Sequence, residues 1–309
     1  MFMVQIENVK ILYTGDYSCD DDRHLKGAEI PKEKPDILII ESTFGTQSLR
    51  PIQDREREFC KTIHEIILRG GRCLIPVFAL GRAQELLLIL DEYWMNNKSL
   101  HNVKIYYASA LAKKCLQVYS TYINMMNPRI QKEYKVNNPF NFKHIYNLRR
   151  REEFGDYGPS VVFASPGMLQ NGLSRELFEM WCTDRKNGLV IPGYAVDGTL
   201  AKIVQSEPNS VTSMKGTQLP LKMSVHYVMF AAHADHDQTK RFIQELRPPN
   251  VILVHGERKA MSRVKQSLNR TFDFVRINDP SNCQPVQITF NKNKNIKAVG
   301  ELVDELNSI

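Results

Sequence analysis

The chain has 309 residues, 42% of them hydrophobic and 24% charged, which suits a globular protein of two ordinary domains, or of one domain carrying a large insertion, and excludes fibrous and low-complexity classes. No apolar run approaches the roughly 20 residues that a membrane-spanning helix needs, and the N-terminus has no basic segment followed by an apolar one, so neither a membrane partner nor a secretory leader is expected. Lys and Arg number 41 against 34 Asp and Glu, a formal net charge of +7, which favours an anionic partner such as nucleic acid, although solubility alone accounts for a modest excess.

Short β-branched or apolar runs alternate with longer amphipathic stretches, the pattern of an α/β protein. In chain order, strands are expected at Val9–Thr14, Ile37–Glu41, Cys73–Val77, Ile105–Ala108, Val161–Ala164, Leu189–Tyr194, Tyr227–Ala231, Val251–Val254 and Val286–Phe290, and the chain also opens on a stretch that reads as a strand. Helical spacing of apolar residues marks Asp54–Leu68, Arg82–Trp94, Leu111–Met125, Ser174–Trp181, Asp237–Leu246 and Ala260–Thr271. The middle carries a nearly complete βαβ pattern of its own, while the shorter ends carry the acidic and histidine residues. Two segments flanking an inserted domain explain that arrangement: 1–45 and 232–297 as one domain, 46–231 as the insertion, and 298–309 as an extension.

Chemistry in open α/β sheets gathers where strands end, because the turn there exposes backbone N–H groups and side chains together. Four strand ends finish on suitable residues: Tyr13-Thr14-Gly15-Asp16, Ile39-Ile40-Glu41-Ser42-Thr43, Ala231-Ala232-His233-Ala234-Asp235 and Leu253-Val254-His255-Gly256-Glu257. Alone, Asp16 reads as a turn residue and each histidine as a satisfied core group; together, two carboxylates and two imidazoles make a metal or acid–base constellation. His236 completes an H-A-D-H pattern, but Ala231 stands where a leading histidine would be needed, so His236 reads as a solvated helix-start residue. Gly81-Arg82 at a helix start suits a phosphate through the dipole and a forked guanidinium, and Ala164-Ser165-Pro166-Gly167-Met168 is a comparable small-residue turn. Arg149-Arg150-Arg151 is either a solvated face or an RNA-contacting edge. His24, His64, His101, His144 and His226 belong to no constellation and read as structural or exposed. Six cysteines (Cys19, Cys60, Cys73, Cys115, Cys182 and Cys283) stand without a close pair, as reduced thiols do in a cytosolic or nuclear protein.

Six ordered motifs carry a resemblance: T-G-D-Y-S at 14–18, I-I-E-S-T-F-G at 39–45, P-V-F-A-L-G-R-A-Q-E at 76–85, A-S-P-G-M at 164–168, A-A-H-A-D at 231–235 and V-H-G-E at 254–257. In order and spacing they resemble the metallo-β-lactamase/β-CASP nucleases, most of all the branch that cuts pre-mRNA for cleavage and polyadenylation, with the Integrator-type nuclease of small nuclear RNA processing as the near alternative. The fold this implies is a partial metallo-β-lactamase αββα domain with an inserted β-CASP α/β domain. The resemblance further implies a nuclear zinc endoribonuclease that acts on pre-mRNA among other subunits of a 3′-end processing complex, by attack of a metal-held hydroxide on the phosphodiester. By position, Asp16 would bridge two zinc ions, His255 would ligate one, His233 would act as general acid and Glu41 would orient it; Arg82 and Ser165 would bind substrate. The family's H-x-H-x-D-H segment and a further histidine have no counterpart before Asp16, so the expectation is of a fragment that is poorly metallated, inactive, and marked by an exposed apolar sheet edge. A β-CASP-fold scaffold that grips RNA without cutting is the competing class.

Overall fold

The computed structural model describes residues 1–109, 111–148 and 158–290; the Arg149–Arg151 run and the extension at 298–309 lie outside the described residues. Two sheets organise the chain. The larger, six strands in the order β11-β8-β4-β7-β5-β6, is built from β4 (Arg72–Pro76), β5 (Lys104–Ala108), β6 (Ile145–Leu148), β7 (Ser160–Ala164), β8 (Gly188–Ile191) and β11 (Ser224–Tyr227), and all its pairings are parallel. A parallel sheet is covered on both faces, so its central strands are apolar without a break; all five residues of β7 are buried.

Alternate residues of these strands feed two separate cores. Cys73, Ile75, Val161 and Phe163 face α1 (Ile52–Leu68) and α2 (Arg82–Asn96) through Phe59, Ile63, Leu86 and Trp94. Leu74, Val162 and Ala164 face α5 (Gly172–Trp181) and α6 (Leu200–Val204) through Leu177, Phe178 and Ala201. Between β5 and β6, α3 (Ala112–Thr121) is followed by a separate 3₁₀ turn at Ile123–Met125, where one longer helix was expected, and then by α4 (Pro128–Tyr134). The side chain of Asn127 caps α4 by accepting the Ile130 N–H, with Pro128 at the first helical position.

The second sheet has the order β1-β2-β3-β12-β13, from β1 (Phe2–Ile6), β2 (Val9–Tyr13), β3 (Ile37–Glu41), β12 (Asn250–Val254) and β13 (Arg276–Asn278). Only its β1–β2 hairpin is antiparallel. Its central pair joins residues more than two hundred positions apart, with Val254 opposite Glu41. Leu12, Leu38, Ile40, Val251 and Leu253 are covered by α7 (His236–Leu246) and α8 (Arg258–Thr271) through Phe242, Ile243, Val264 and Leu268. Every residue of β1 is exposed, with Phe2 at 70% and Ile6 at 60%, so an apolar, solvent-facing edge strand is present as expected. β9 (Ser210–Thr212) and β10 (Gln218–Pro220) form a separate two-stranded ribbon.

Three strand expectations are corrected. The ladder between β8 and β11 ends at Ile191 opposite Tyr227, because Pro192 has no N–H to continue it; β8 therefore stops short of Tyr194, and β11 lies before rather than within Tyr227–Ala231. Val286–Phe290 forms no strand. None of the described helices is long and apolar enough to cross a membrane, and all six cysteines are free thiols.

Candidate metal and acid–base centre

The C-terminal ends of β2, β3 and β12 and the loop before α7 meet at one place. Parallel pairing sets them level: Thr14 N–H donates to the Ile39 carbonyl at 3.0 Å, and Val254 lies opposite Glu41. Asp16, His233 and His255 therefore come together, offering ligand atoms that all lie within 4.8 Å of one another. His255 Nδ1 stands 3.5 Å and His233 Nδ1 3.9 Å from Asp16 Oδ1, and the two imidazoles stack at 5.5 Å between centroids.

Glu41 lies behind this group and is almost fully buried, at 1% exposure. A charge so placed needs partners, and it has them: its Oε2 accepts the Thr43 N–H at 2.9 Å and its Oε1 accepts the Ala234 N–H at 2.9 Å. Glu41 Oε2 also faces His233 Nδ1 at 3.5 Å. Burial pulls the His233 imidazole below its ordinary value, but the Glu41 carboxylate, with Asp16 behind it, outweighs burial and the opposing Arg82, so its pKa is raised. Its Nδ1 is the nitrogen that Glu41 and Thr43 face, which leaves Nε2 engaged by neither.

Thr43 is the residue that sequence reasoning passed over. Its hydroxyl lies 3.2 Å from His233 Nδ1 and 3.0 Å from His255 Nδ1, and within 3.1 Å of the His255 carbonyl oxygen. The available signal was a hydroxyl residue two positions after the buried Glu41 at the same strand end. His255 itself has a left-handed backbone, φ +51°, uncommon for a side-chain-bearing residue. The next residue allows close packing: a Cβ on Gly256 would lie 2.7 Å from the Ser42 carbonyl oxygen and 2.9 Å from Met261 Cγ.

The other expected residues are placed differently. Arg82, at the start of α2, is bound to its own chain: it pairs with the buried Glu85, reaches Asp22 at 3.3 Å, and donates to the Ala231 carbonyl. It lines the same cavity as Asp16 and His233, with its fork engaged internally. Ser165 does not join this cavity; its hydroxyl donates to the Val77 carbonyl at 2.9 Å, fastening β7 to β4. His236 does begin a helix but is buried at 6%, with Nε2 3.0 Å from the Ser267 hydroxyl, so its expected solvation is corrected. His24 is also buried, with Nδ1 3.2 Å from Asp22 Oδ1 and its ring against Tyr119; it anchors the loop after β2 onto the inserted unit.

Carboxylate oxygen and imidazole nitrogen are zinc donors, and a trio of them, with Asp16 and His255 exposed and His233 partly buried, fits a metal ion in chemistry and proximity. This Asp–His–His trio with its buried glutamate belongs to one α/β unit, with a second α/β unit inserted in the chain between Glu41 and His233. Residues 83–204 match the family model described as Beta-Casp domain, and residues 218–278 match the one described as Zn-dependent metallo-hydrolase RNA specificity domain. The chain is 56% identical over 303 residues to cleavage and polyadenylation specificity factor subunit 3 of Dictyostelium discoideum, a match covering 98% of this chain and 39% of that protein. It is 55% identical to cleavage and polyadenylation specificity factor 73 of Drosophila melanogaster, over 98% of this chain and 45% of that one. To Endoribonuclease ysh1 of Schizosaccharomyces pombe it is 48% identical, over 98% and 40%. The chain belongs to the metallo-β-lactamase/β-CASP family and is similar to the cleavage and polyadenylation proteins just named over nearly its whole length. It spans less than half the length of these curated relatives.

Proposed function

We propose that this chain carries the catalytic centre of a zinc-dependent endoribonuclease that cuts pre-mRNA at the 3′-end processing site, in the nucleus, beside other subunits of a processing complex. The observation that carries the reading is the convergence of Asp16, His233 and His255 within 4.8 Å, with the buried Glu41 bracing His233. In domain terms, 1–45 and 232–297 form the metallo-β-lactamase part and 46–231 the β-CASP insertion.

Asp16 and His255, the more exposed members of the trio, are the residues that hold metal in this reading; a centre of two zinc ions, as the family implies, needs donors beyond these. When bound, zinc supplies Lewis-acid stabilisation of charge on the phosphate and a lowered pKa for the attacking water. His233 carries its proton on the free Nε2 and donates it to the departing 3′ oxygen, a role worth about 10²- to 10⁴-fold in rate. Glu41 stabilises the charged imidazole and, with Thr43, fixes the ring through Nδ1, as outer partners of functional histidines do. Arg82 positions the start of α2 against Ala231 and so the approach to His233.

The test is cleavage of end-labelled single-stranded RNA by the zinc-loaded full-length protein, alone and in its complex. Fragments ending in 3′-hydroxyl and beginning with 5′-phosphate are expected. Stoichiometric zinc without cleavage in either setting would replace this reading with the scaffold one.

A further inference from the structure

We infer that Arg55, together with Asp235, is a positioning residue for His233; this rests on the endoribonuclease reading above. The two side chains clasp the chain's two crossings between the units, and His233 lies on the clasped segment. The first crossing is residues 42–51, between the end of β3 at Glu41 and the start of α1 at Ile52. The return is residues 228–235, between the end of β11 at Tyr227 and the start of α7 at His236. The return belongs to no strand, so its buried backbone groups need partners other than a sheet ladder. Where His233 stands depends on how that segment is held.

Arg55 stands in the first turn of α1 and is buried at 9% exposure. Both facts disfavour a cation, since a helix N-terminus is the positive end of the dipole and desolvating a charge is costly. Its guanidinium forks between the two crossings: Nε donates to the Arg50 carbonyl and Nη1 to the Met229 carbonyl, each at 2.8 Å. It also lies 6.0 Å from the centre of the Phe230 ring, which packs at 5.3 Å against Phe59 of α1. Asp235 repeats the device at the other end of the return. Its Oδ2 accepts the Leu49 N–H of the first crossing, and its Oδ1 accepts the Gln238 N–H as the cap of α7, each at 2.9 Å. Beside it the His236 N–H donates to the Gln47 carbonyl at 3.0 Å. His233 is thus suspended between two fixed points, with the neighbouring Ala234 N–H held by Glu41. The planar fork of arginine reaches carbonyls on both segments, whereas a lysine ammonium is one point on a flexible stem.

The experiment is single-turnover cleavage of end-labelled RNA by the zinc-loaded full-length protein, with zinc content and urea midpoints measured alongside. Arg55→Lys is expected to keep its zinc and to slow cleavage by up to about 10²-fold, the cost of a misplacement of about 1 Å. Combined with His233→Ala, it should slow cleavage no further than His233→Ala alone, because a residue acting through another adds nothing once that other is gone. Arg175→Lys is the matched control. Arg175 is likewise buried, at 7%, and donates to the Leu169 and Thr212 carbonyls within the inserted unit. Its variant should lower the urea midpoint and leave the cleavage rate at that of the wild type. If Arg55→Lys does not fold, Asp235→Asn, with one acceptor oxygen where two are used, replaces it in the same cycle. The inference is overturned if the clasp variant cuts at the wild-type rate, if its penalty persists in full on the His233→Ala background, or if Arg175→Lys slows cleavage equally. Those outcomes leave the endoribonuclease reading standing; a zinc-loaded wild type that never cuts sinks that reading, and the inference with it.

Discussion

The two sheets differ in how the chain reaches them. The six-stranded sheet is assembled entirely from strands between residues 72 and 227, several of them paired across crossovers within that stretch. The five-stranded sheet is closed by β3 against β12, across the whole inserted unit, and every residue of the candidate centre lies at that seam. The first can be complete without the second, and the centre depends on closure of the second. Seam and insertion also differ in how polar groups are treated. The sheet interior of the insertion is filled by Phe163, Leu74 and Trp94, whereas the seam buries a carboxylate, Glu41, held by two backbone N–H groups and a histidine.

This contrast makes graded predictions. The largest effect is expected for His233→Ala in the zinc-loaded full-length protein: a fall in RNA cleavage rate of about 10²- to 10⁴-fold, with urea unfolding shifted little. Phe163→Ala should do the reverse. It removes a fully buried ring, so it should lower unfolding free energy by about 3–5 kcal/mol, read as a lower urea midpoint with earlier amide exchange in β4, β5 and β7 than in β3 and β12. Gly256→Ala forces a Cβ to within 2.8 Å of Ser42 Oγ. The β3 end and His255 must shift, and a misplacement of about 1 Å costs on the order of 10²-fold in rate; steady-state cleavage should show that loss with most of the stability kept. If Phe163→Ala and Gly256→Ala instead lose activity and stability in equal proportion, the two units do not behave separately.

The smallest effect is a pH dependence at His236. Burial and the neighbouring Lys240 hold its imidazole below the ordinary value. Above pH 6.5 both folded and unfolded chains carry it neutral; as pH falls through 6.5, the unfolded chain takes up a proton that the folded one resists, so stability declines with falling pH. Unfolding midpoints measured between pH 7.5 and 5.5 should drop, and His236→Gln should flatten the drop.

Much of this was readable from residues alone because strand and chemistry coincide. The strands β3, β4, β7 and β12 are apolar runs with clear ends; Glu41 closes β3, His255 follows β12 and Asp16 stands shortly after β2, while His233 lies in the loop before α7. Sequence periodicity could not show how many donors meet: His233 was expected as an acid apart from the metal ligands, and the structure places it in the same trio as Asp16 and His255. Nor could it show that Arg82 spends its fork on Glu85 and the Ala231 carbonyl, since a helix-start arginine looks the same whether its partner is internal or a ligand. Strands of three or four residues such as β6, β9, β10 and β13 carry too few alternations to register as periodic. The Leu189–Tyr194 run overshot because hydrophobicity continues past Pro192, where hydrogen bonding cannot.

The division of labour at the seam is tested most directly by zinc content measured beside RNA cleavage for Asp16→Ala, His255→Ala and His233→Ala in the full-length protein. The account predicts that the first two lose zinc and cleavage together, while His233→Ala keeps its zinc and loses cleavage. Zinc lost from His233→Ala as readily as from the other two, or cleavage undiminished in any of the three, would contradict it.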